Sequence, residues 1–190
     1  RIVNEAIRLA SRDGYENLSI GALAAELRMS KSGLFAHFGS KEELQRSVLE
    51  ESAARFRDAV VRPALSAPRG EPRIRALFER WLAWMDDIAQ PGGCPLIAAC
   101  IEFDDRPGPQ RDVLVRAYKD LVQTFAKAAR IAADEGHFHA GIDTRLFAFE
   151  VYGLISAYHH TRRLLRDDRA EALARASFER LMRSYRSSPP

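Results

Sequence analysis

Apolar residues recur along most of the chain at steps of three and four, the period that places them on one face of an α-helix. Ile2, Ala6, Leu9 and Ala10 form the first stripe, and Gly14 ends it. Ile20, Leu23, Ala24 and Leu27 form a second, and Leu34, Phe35 and Phe38 a third. Leu44, Val48, Ser52, Phe56 and Val60 predict a longer helix over 41–61 that stops before Pro63. Residues 62–72 (RPALSAPRGEP) hold three prolines and a glycine, the clearest boundary in the sequence. Beyond it the helical period resumes over 73–90, with Leu77, Trp81, Trp84 and Met85 set against charged positions. Pro91-Gly92-Gly93 breaks the pattern, and Pro95–Phe103 is short and apolar nearly all round, which predicts burial. Over 110–135, Leu114, Tyr118, Leu121, Phe125, Ala128 and Ala132 step by four, three, four, three and four. Asp143 caps a further helix running to about 165, and Ala174, Phe178, Leu181 and Tyr185 mark a last one over Ala170–Tyr185. No stretch alternates as a strand does, so the predicted class is all-α.

Two of these segments are joined unusually tightly. Between Ile20–Leu27 and Lys31–Phe38 lie only Arg28, Met29 and Ser30, so the chain must turn sharply, as in a helix-turn-helix. Ser30 is placed to cap the second helix through its hydroxyl. The outer face of that helix is Lys31, Ser32, Gly33, Ala36 and His37, small and polar enough to lie against a groove. Gly39 closes it, and Ser40 to Glu43 opens the next helix with the spacing of a capping box. A helix N-terminus with Lys41 at its first position suits a phosphate. Taken singly, Lys31 and Lys41 read as solvated charges and Phe35 and Phe38 as core; the ordered set carries the signal.

That set (Ser19, Leu23-Ala24, Met29-Ser30-Lys31, Leu34-Phe35, His37-Phe38 and Ser40-Lys41-Glu42) resembles the DNA-binding domain of the tetracycline-repressor-like (TetR) family of transcription regulators. The resemblance covers about the first fifty residues. It implies an N-terminal three-helix, helix-turn-helix DNA-binding domain over 1–50 and a C-terminal helical-bundle ligand-binding and dimerisation domain over 51–190. It makes Lys31–Phe38 the recognition helix. Ser19, Arg28 and Lys41 would hold phosphates. Ser30, Lys31, Ser32, Gly33, Phe35 and His37 would complete the surface facing bases and adjacent backbone. Three positions depart from the family pattern. Arg28 stands where many members have glycine, at a cost on the order of 1 kcal/mol if the turn is left-handed there. Phe35 replaces a commonly found tyrosine, removing a hydroxyl that could reach a phosphate, and Ser32 replaces a small residue or glycine.

The second half also resembles the family's regulatory domain in helix order and length, and the GGCPLIAACIEFDDRPGP stretch is similar to a subset of members. The helix after Asp143 is apolar on more than one side (Leu146, Phe147, Phe149, Val151, Leu154, Ile155), with Gly153 and Ala157 offering a close approach. Such a helix needs a second partner, which a four-helix interface between two subunits supplies. The partners implied are a double-stranded DNA operator, a second copy of the chain and a small-molecule effector. Phe78, Trp81, Trp84, Met85, Glu102, Phe103, Tyr118, Phe125, Tyr152 and His159 are the candidates for an effector cavity. The same aromatic residues would equally make a plain core. The reading is a ligand-released homodimeric repressor; its alternatives are a dimerisation-only second domain and a helical-bundle enzyme.

Composition narrows the classes. A chain of 190 residues, 46% apolar, supports a sizeable core. Its formal charge of +3 does not by itself point to nucleic acid. The sequence opens at Arg1 already in helical register, so preceding residues are expected. Cys94 and Cys100 are the two cysteines, six residues apart on a helix, where they face different ways and cannot bridge. Cys94, at a helix start, suits a thiolate, and a thiol sensor stands beside two inert buried thiols as a reading. No signal peptide or run of eighteen apolar residues is present, so no membrane partner is expected and the location expected is cytoplasmic. No metal-protease, phosphate-loop or nucleophile-elbow motif occurs. His137, His139, His159 and His160 lack the Glu-x-x-His pairs of a di-iron bundle. No cofactor, metal or catalytic residue is expected.

Overall fold

The computed structural model describes residues 1–87 and 91–187. Among them ten α-helices follow in order: α1 (Ile2–Asp13), α2 (Ile20–Leu27), α3 (Lys31–Phe38), α4 (Lys41–Phe56), α5 (Arg62–Ala64), α6 (Glu71–Met85), α7 (Pro95–Phe103), α8 (Pro109–Asp134), α9 (Thr144–Arg163) and α10 (Ala170–Tyr185). Among the described residues no strand forms, and one isolated antiparallel bridge joins Phe138 to Arg186. The class is all-α, as the periodicity predicts, and α2, α3, α7 and α10 have the predicted bounds. The last three residues of the helix predicted over 73–90 lie outside the described residues.

Helix α4 departs from expectation. It does not run as one α-helix to 61 and stop ahead of Pro63. It changes into a π-helical turn over Arg57–Val61 and continues as α5 across Pro63 to Ala64. The wider turn re-sorts the carbonyls ahead of Pro63, whose ring nitrogen has no hydrogen to donate to them. The Ser40–Glu43 capping box is also half made. The Ser40 hydroxyl accepts the Glu43 N–H at 3.0 Å, but the Glu43 carboxylate turns to Arg46 instead of back to Ser40.

The helices pack as two units. One is Arg1–Arg57 with Met85–Ala117; the other is Asp58–Trp84 with Tyr118–Pro190. This division by packing differs from the sequence boundary at residue 50, because 85–117 folds with the head. In the first unit Ala6, Leu9 and Ala10 of α1 meet Leu23 of α2, Leu34 and Phe38 of α3, and Leu44, Val48 and Leu49 of α4. Ala99 and Phe103 of α7 and Val113 and Leu114 of α8 close the same core. Polar ties reinforce the addition. The Ser11 hydroxyl accepts the Gly92 N–H at 2.8 Å and donates to the Gly93 carbonyl at 3.3 Å. Gln110 donates to the Glu42 carbonyl at 3.2 Å and to Gln45 Oε1 at 3.3 Å, and Gln45 donates to the Tyr15 carbonyl at 2.6 Å. Both glutamines are buried, and these bonds satisfy amides that would otherwise be costly to desolvate.

In the second unit Ile74, Leu77, Phe78 and Trp81 of α6 are buried, as are Phe125 and Ala129 of α8, Val151 and Ile155 of α9, and Phe178 and Met182 of α10. Phe78 stacks on Phe178 with ring centroids 3.8 Å apart. Arg75 bridges Glu71 at 2.8 Å and Glu179 at 3.0 Å, and Arg186 adds a bond to Glu71 at 3.0 Å. Arg186 first and then Arg75 hold the Glu71 carboxyl below the usual carboxylate range. No helix of the described residues is long and apolar enough to cross a membrane.

Candidate nucleic-acid interface

Three serines build the frame of the head. Ser19 caps α2 by accepting the Ala22 N–H at 3.1 Å, Ser30 caps α3 by accepting the Gly33 N–H at 3.2 Å, and Ser40 caps α4 as described. Each hydroxyl keeps its own hydrogen for another acceptor. Between α2 and α3 the chain reverses at Arg28, which adopts φ 52° and ψ 42°, the left-handed conformation. The Arg28 N–H bonds the Ala25 carbonyl at 3.3 Å and the Met29 N–H bonds the Ala24 carbonyl at 3.0 Å, the double closure of a helix C-terminus. An arginine held there carries the strain that a glycine would not. Arg28→Gly is therefore expected to raise stability by about 0.5 kcal/mol, the relieved strain being partly offset by chain entropy. The same change is expected to weaken DNA binding if the guanidinium meets a phosphate. Urea unfolding and duplex titration of one preparation read both, and a destabilised variant would count against the strain.

Helix α3 turns only Leu34 and Phe38 into the core. Lys31, Ser32, Gly33, Phe35, Ala36 and His37 are all exposed. Phe35, which the periodicity grouped with the core, is 55% exposed and lies on the outer face instead. Leu34 and Phe38, four residues apart, are the two positions that α3 turns inward, and Phe35 lies about 100° round the helix from Leu34. The exposed ring and the methyl of Ala36 can meet a thymine methyl, while Lys31, Ser32 and His37 can meet base-edge acceptors or phosphates. His37 is steadied by edge-on contact with Phe38 at 4.6 Å.

Lys41 is less free than its position at a helix start suggested. Its Nζ donates to the Glu16 carbonyl at 2.7 Å and lies 3.4 Å from Glu16 Oε1. The other oxygen of that carboxylate accepts from Arg106 Nη1 at 2.8 Å. Arg106 and then Lys41 hold the Glu16 carboxyl below its usual range. Neither Glu16 nor Arg106 was legible as part of this surface, because a turn residue and a loop residue ninety positions apart share no periodicity.

The effector candidates divide between the units. Met85, Glu102 and Phe103 belong to the first. Glu102 accepts the backbone N–H groups of Tyr15 at 3.1 Å and Glu16 at 2.9 Å, so its carboxylate holds the α1–α2 turn. Phe103 meets Tyr15 edge-on at 6.0 Å and serves the core. In the second unit Trp81 lies 5.9 Å from Phe125 and 6.3 Å from Tyr152, whose ring takes Tyr118 edge-on at 4.7 Å. Trp84 is buried in that unit, and Phe78 is spent on Phe178. His159 is buried, and desolvation first, then His160 and Arg163, push its imidazole down to about 4, so it is neutral. Its Nδ1 and the hydroxyl of Ser156, which the sequence did not single out, find no hydrogen-bond partner among the described residues. Tyr152, Ser156 and His159 share one face of α9.

His137 and His139 are occupied locally: His137 Nδ1 accepts the Glu71 N–H at 3.2 Å, and His139 stacks on Tyr185. Among the described residues no three potential metal ligands come together. Cys94 is buried, and burial pushes the Cys100 thiol up to about 11, which opposes a thiolate at Cys100.

Residues 2–48 match the model for bacterial regulatory proteins of the tetR family, and residues 70–178 match that for the tetracyclin repressor-like C-terminal domain. An uncharacterized HTH-type transcriptional regulator of Bacillus subtilis (strain 168), YezE, is 26% identical over 152 residues, covering 80% of this chain and 77% of that protein. Among solved structures, a putative transcriptional regulator from Saccharomonospora viridis in complex with choline superposes with a TM-score of 0.84 at 22% identity, covering 98% of this chain and 96% of that one. AibR, solved with isovaleryl coenzyme A and operator DNA, superposes at 0.76 and 22% identity, covering 95% and 96%.

Proposed function

Since the chain belongs to the tetracycline-repressor family of transcription regulators, which are DNA-binding proteins and not enzymes, we propose that it works as a homodimeric repressor released from its operator by a small molecule. The observation that carries the reading is the outer face of α3, where Lys31, Ser32, Phe35, Ala36 and His37 stand exposed around the two buried anchors Leu34 and Phe38. Two such helices about one turn of DNA apart would enter successive major grooves. Ser19, Arg28 and Lys41 would fix the register on phosphates, while α3 reads bases.

Pairing of two copies is supported by α9. Leu146, Phe149, Gly153, Ala157, His160 and Leu164 follow the helical period and are all exposed, Phe149 at 66% and Leu164 at 76%. A row of exposed apolar and small residues on one helix is the surface that an isologous helix pair covers. For the effector, Trp81, Tyr118, Phe125 and Tyr152 offer an aromatic wall, and neutral His159 with Ser156 offers the hydrogen-bonding group that would orient a guest. Choline bound to one similar structure and isovaleryl coenzyme A to another support a small-molecule effector for this chain. The effector acts only through unequal affinity for the DNA-bound and free states.

The test is selection of bound sequences from random duplex DNA, followed by titration of the selected site over a range of salt and a screen for small molecules that release it. Lys41→Ala is expected to weaken binding to every duplex alike and to reduce the slope of log K against log salt by about one. A wild-type protein without preference among duplexes would overturn the reading. Binding that no small molecule releases would favour a second unit that only dimerises.

A further inference from the structure

The two cations at the edge of the head, Lys41 and Arg106, are not ranged on solvent. Both are turned onto one exposed carboxylate, Lys41 Nζ 3.4 Å from Glu16 Oε1 and Arg106 Nη1 2.8 Å from Glu16 Oε2. The three side chains are 37%, 58% and 61% exposed for Lys41, Arg106 and Glu16, so a polyanion can reach them. A carboxylate held by one cation on each oxygen has the arrangement in which two non-bridging phosphate oxygens would be held. The backbone of Glu16 is fixed independently of its side chain. Its N–H donates to Glu102 Oε2 at 2.9 Å, and its carbonyl accepts from Lys41 at 2.7 Å.

We propose that Glu16 is an internal stand-in for a DNA phosphate: in the free protein its carboxylate occupies the seat between Lys41 and Arg106, and DNA must displace it to bind. This rests on the reading of the head as a DNA-binding surface and adds to it a residue outside the helix-turn-helix. Arg106, from the α7–α8 loop, becomes a phosphate contact, and Glu16 becomes a built-in brake on affinity. The carboxyl is held below its usual range by its two cations, so mild acid does not lift the brake. The alternative is that Glu16 is a strut that orders Lys41 for DNA. The two roles predict opposite signs.

The deciding experiment measures the affinity of the full chain for its selected duplex across a salt series, with Glu16→Gln, Arg106→Ala and the double variant. Glutamine keeps the size of the side chain, and the main-chain bonds to Lys41 and Glu102 persist. Glu16→Gln is expected to bind about fivefold more tightly, the scale of one or two exposed ion pairs, with a salt slope steeper by about one. Adding Arg106→Ala is expected to abolish that gain. Asp13→Asn, which deletes a carboxylate of the same head paired with Arg12 rather than Lys41, controls for net charge. Equal effects of Glu16→Gln and Asp13→Asn, or an unchanged or weakened affinity in Glu16→Gln, would overturn the proposal while leaving DNA binding itself intact. A wild-type chain that binds no duplex would instead fail the reading beneath it. Thermal melts of all variants show whether each is folded.

Discussion

Gly92→Ala is expected to destabilise the protein by about 3 kcal/mol, the upper range of overpacking effects. A Cβ on Gly92 would fall 1.3 Å from the carbonyl oxygen of Ser11 and 2.8 Å from its hydroxyl. The first of these is backbone at the C-terminal end of α1, so no rotamer change relieves it. The loop would have to withdraw, losing the Gly92 N–H bond to Ser11 and the Ser11 bond to Gly93, and leaving a buried hydroxyl without partners. Gly93, at φ +78°, is a glycine for a different reason, the left-handed conformation. Urea unfolding reads the effect as a lower midpoint at similar slope. A shift of less than about 0.5 kcal/mol, the scale of an ordinary surface change, would mean that this turn is not seated on α1.

Phe149→Glu is expected to turn the dimer into a monomer at micromolar concentration and to cut affinity for a two-half-site duplex by about a hundredfold or more, because the second half-site is then no longer held at high effective concentration. Phe149 is 66% exposed in the single chain, so the glutamate burdens folding little, whereas in a paired interface it would bury a charge with no partner. Affinity for a single half-site should change far less than for the pair. Sedimentation velocity and duplex titration decide it. A variant still dimeric would move the interface away from this face of α9.

Most of the helices were legible because their burial is one-sided, and a one-sided helix leaves its period in the sequence. That logic held for α10 at Ala174, Phe178 and Tyr185, although the fully buried residue between the last two is Met182 and the predicted Leu181 is only half-buried. It misled at Phe35, since three apolar residues at helical spacing do not say which of them a short helix can turn inward. It was silent on Glu16, Arg106, Gln45 and Gln110, whose roles come from hydrogen bonds across 30 to 90 residues. Glu102 shows the limit for the effector site. Its composition suits a polar handle, but two backbone N–H groups of the α1–α2 turn already claim it. The family resemblance located α3 and Lys41 through an ordered set of unlike residues, and no such set marks Ser156 beside His159.

The folding of 85–117 with the head bears on how such a protein can be recombined. A reader exchanged between regulators as residues 1–50 would arrive without Ala99, Phe103, Val113 and Leu114 over its core, without Glu102 on the α1–α2 turn, and without Gln110 to satisfy Gln45. The transferable cassette is discontinuous: a chimera that keeps its specificity module folded must carry the later stretch across with the first.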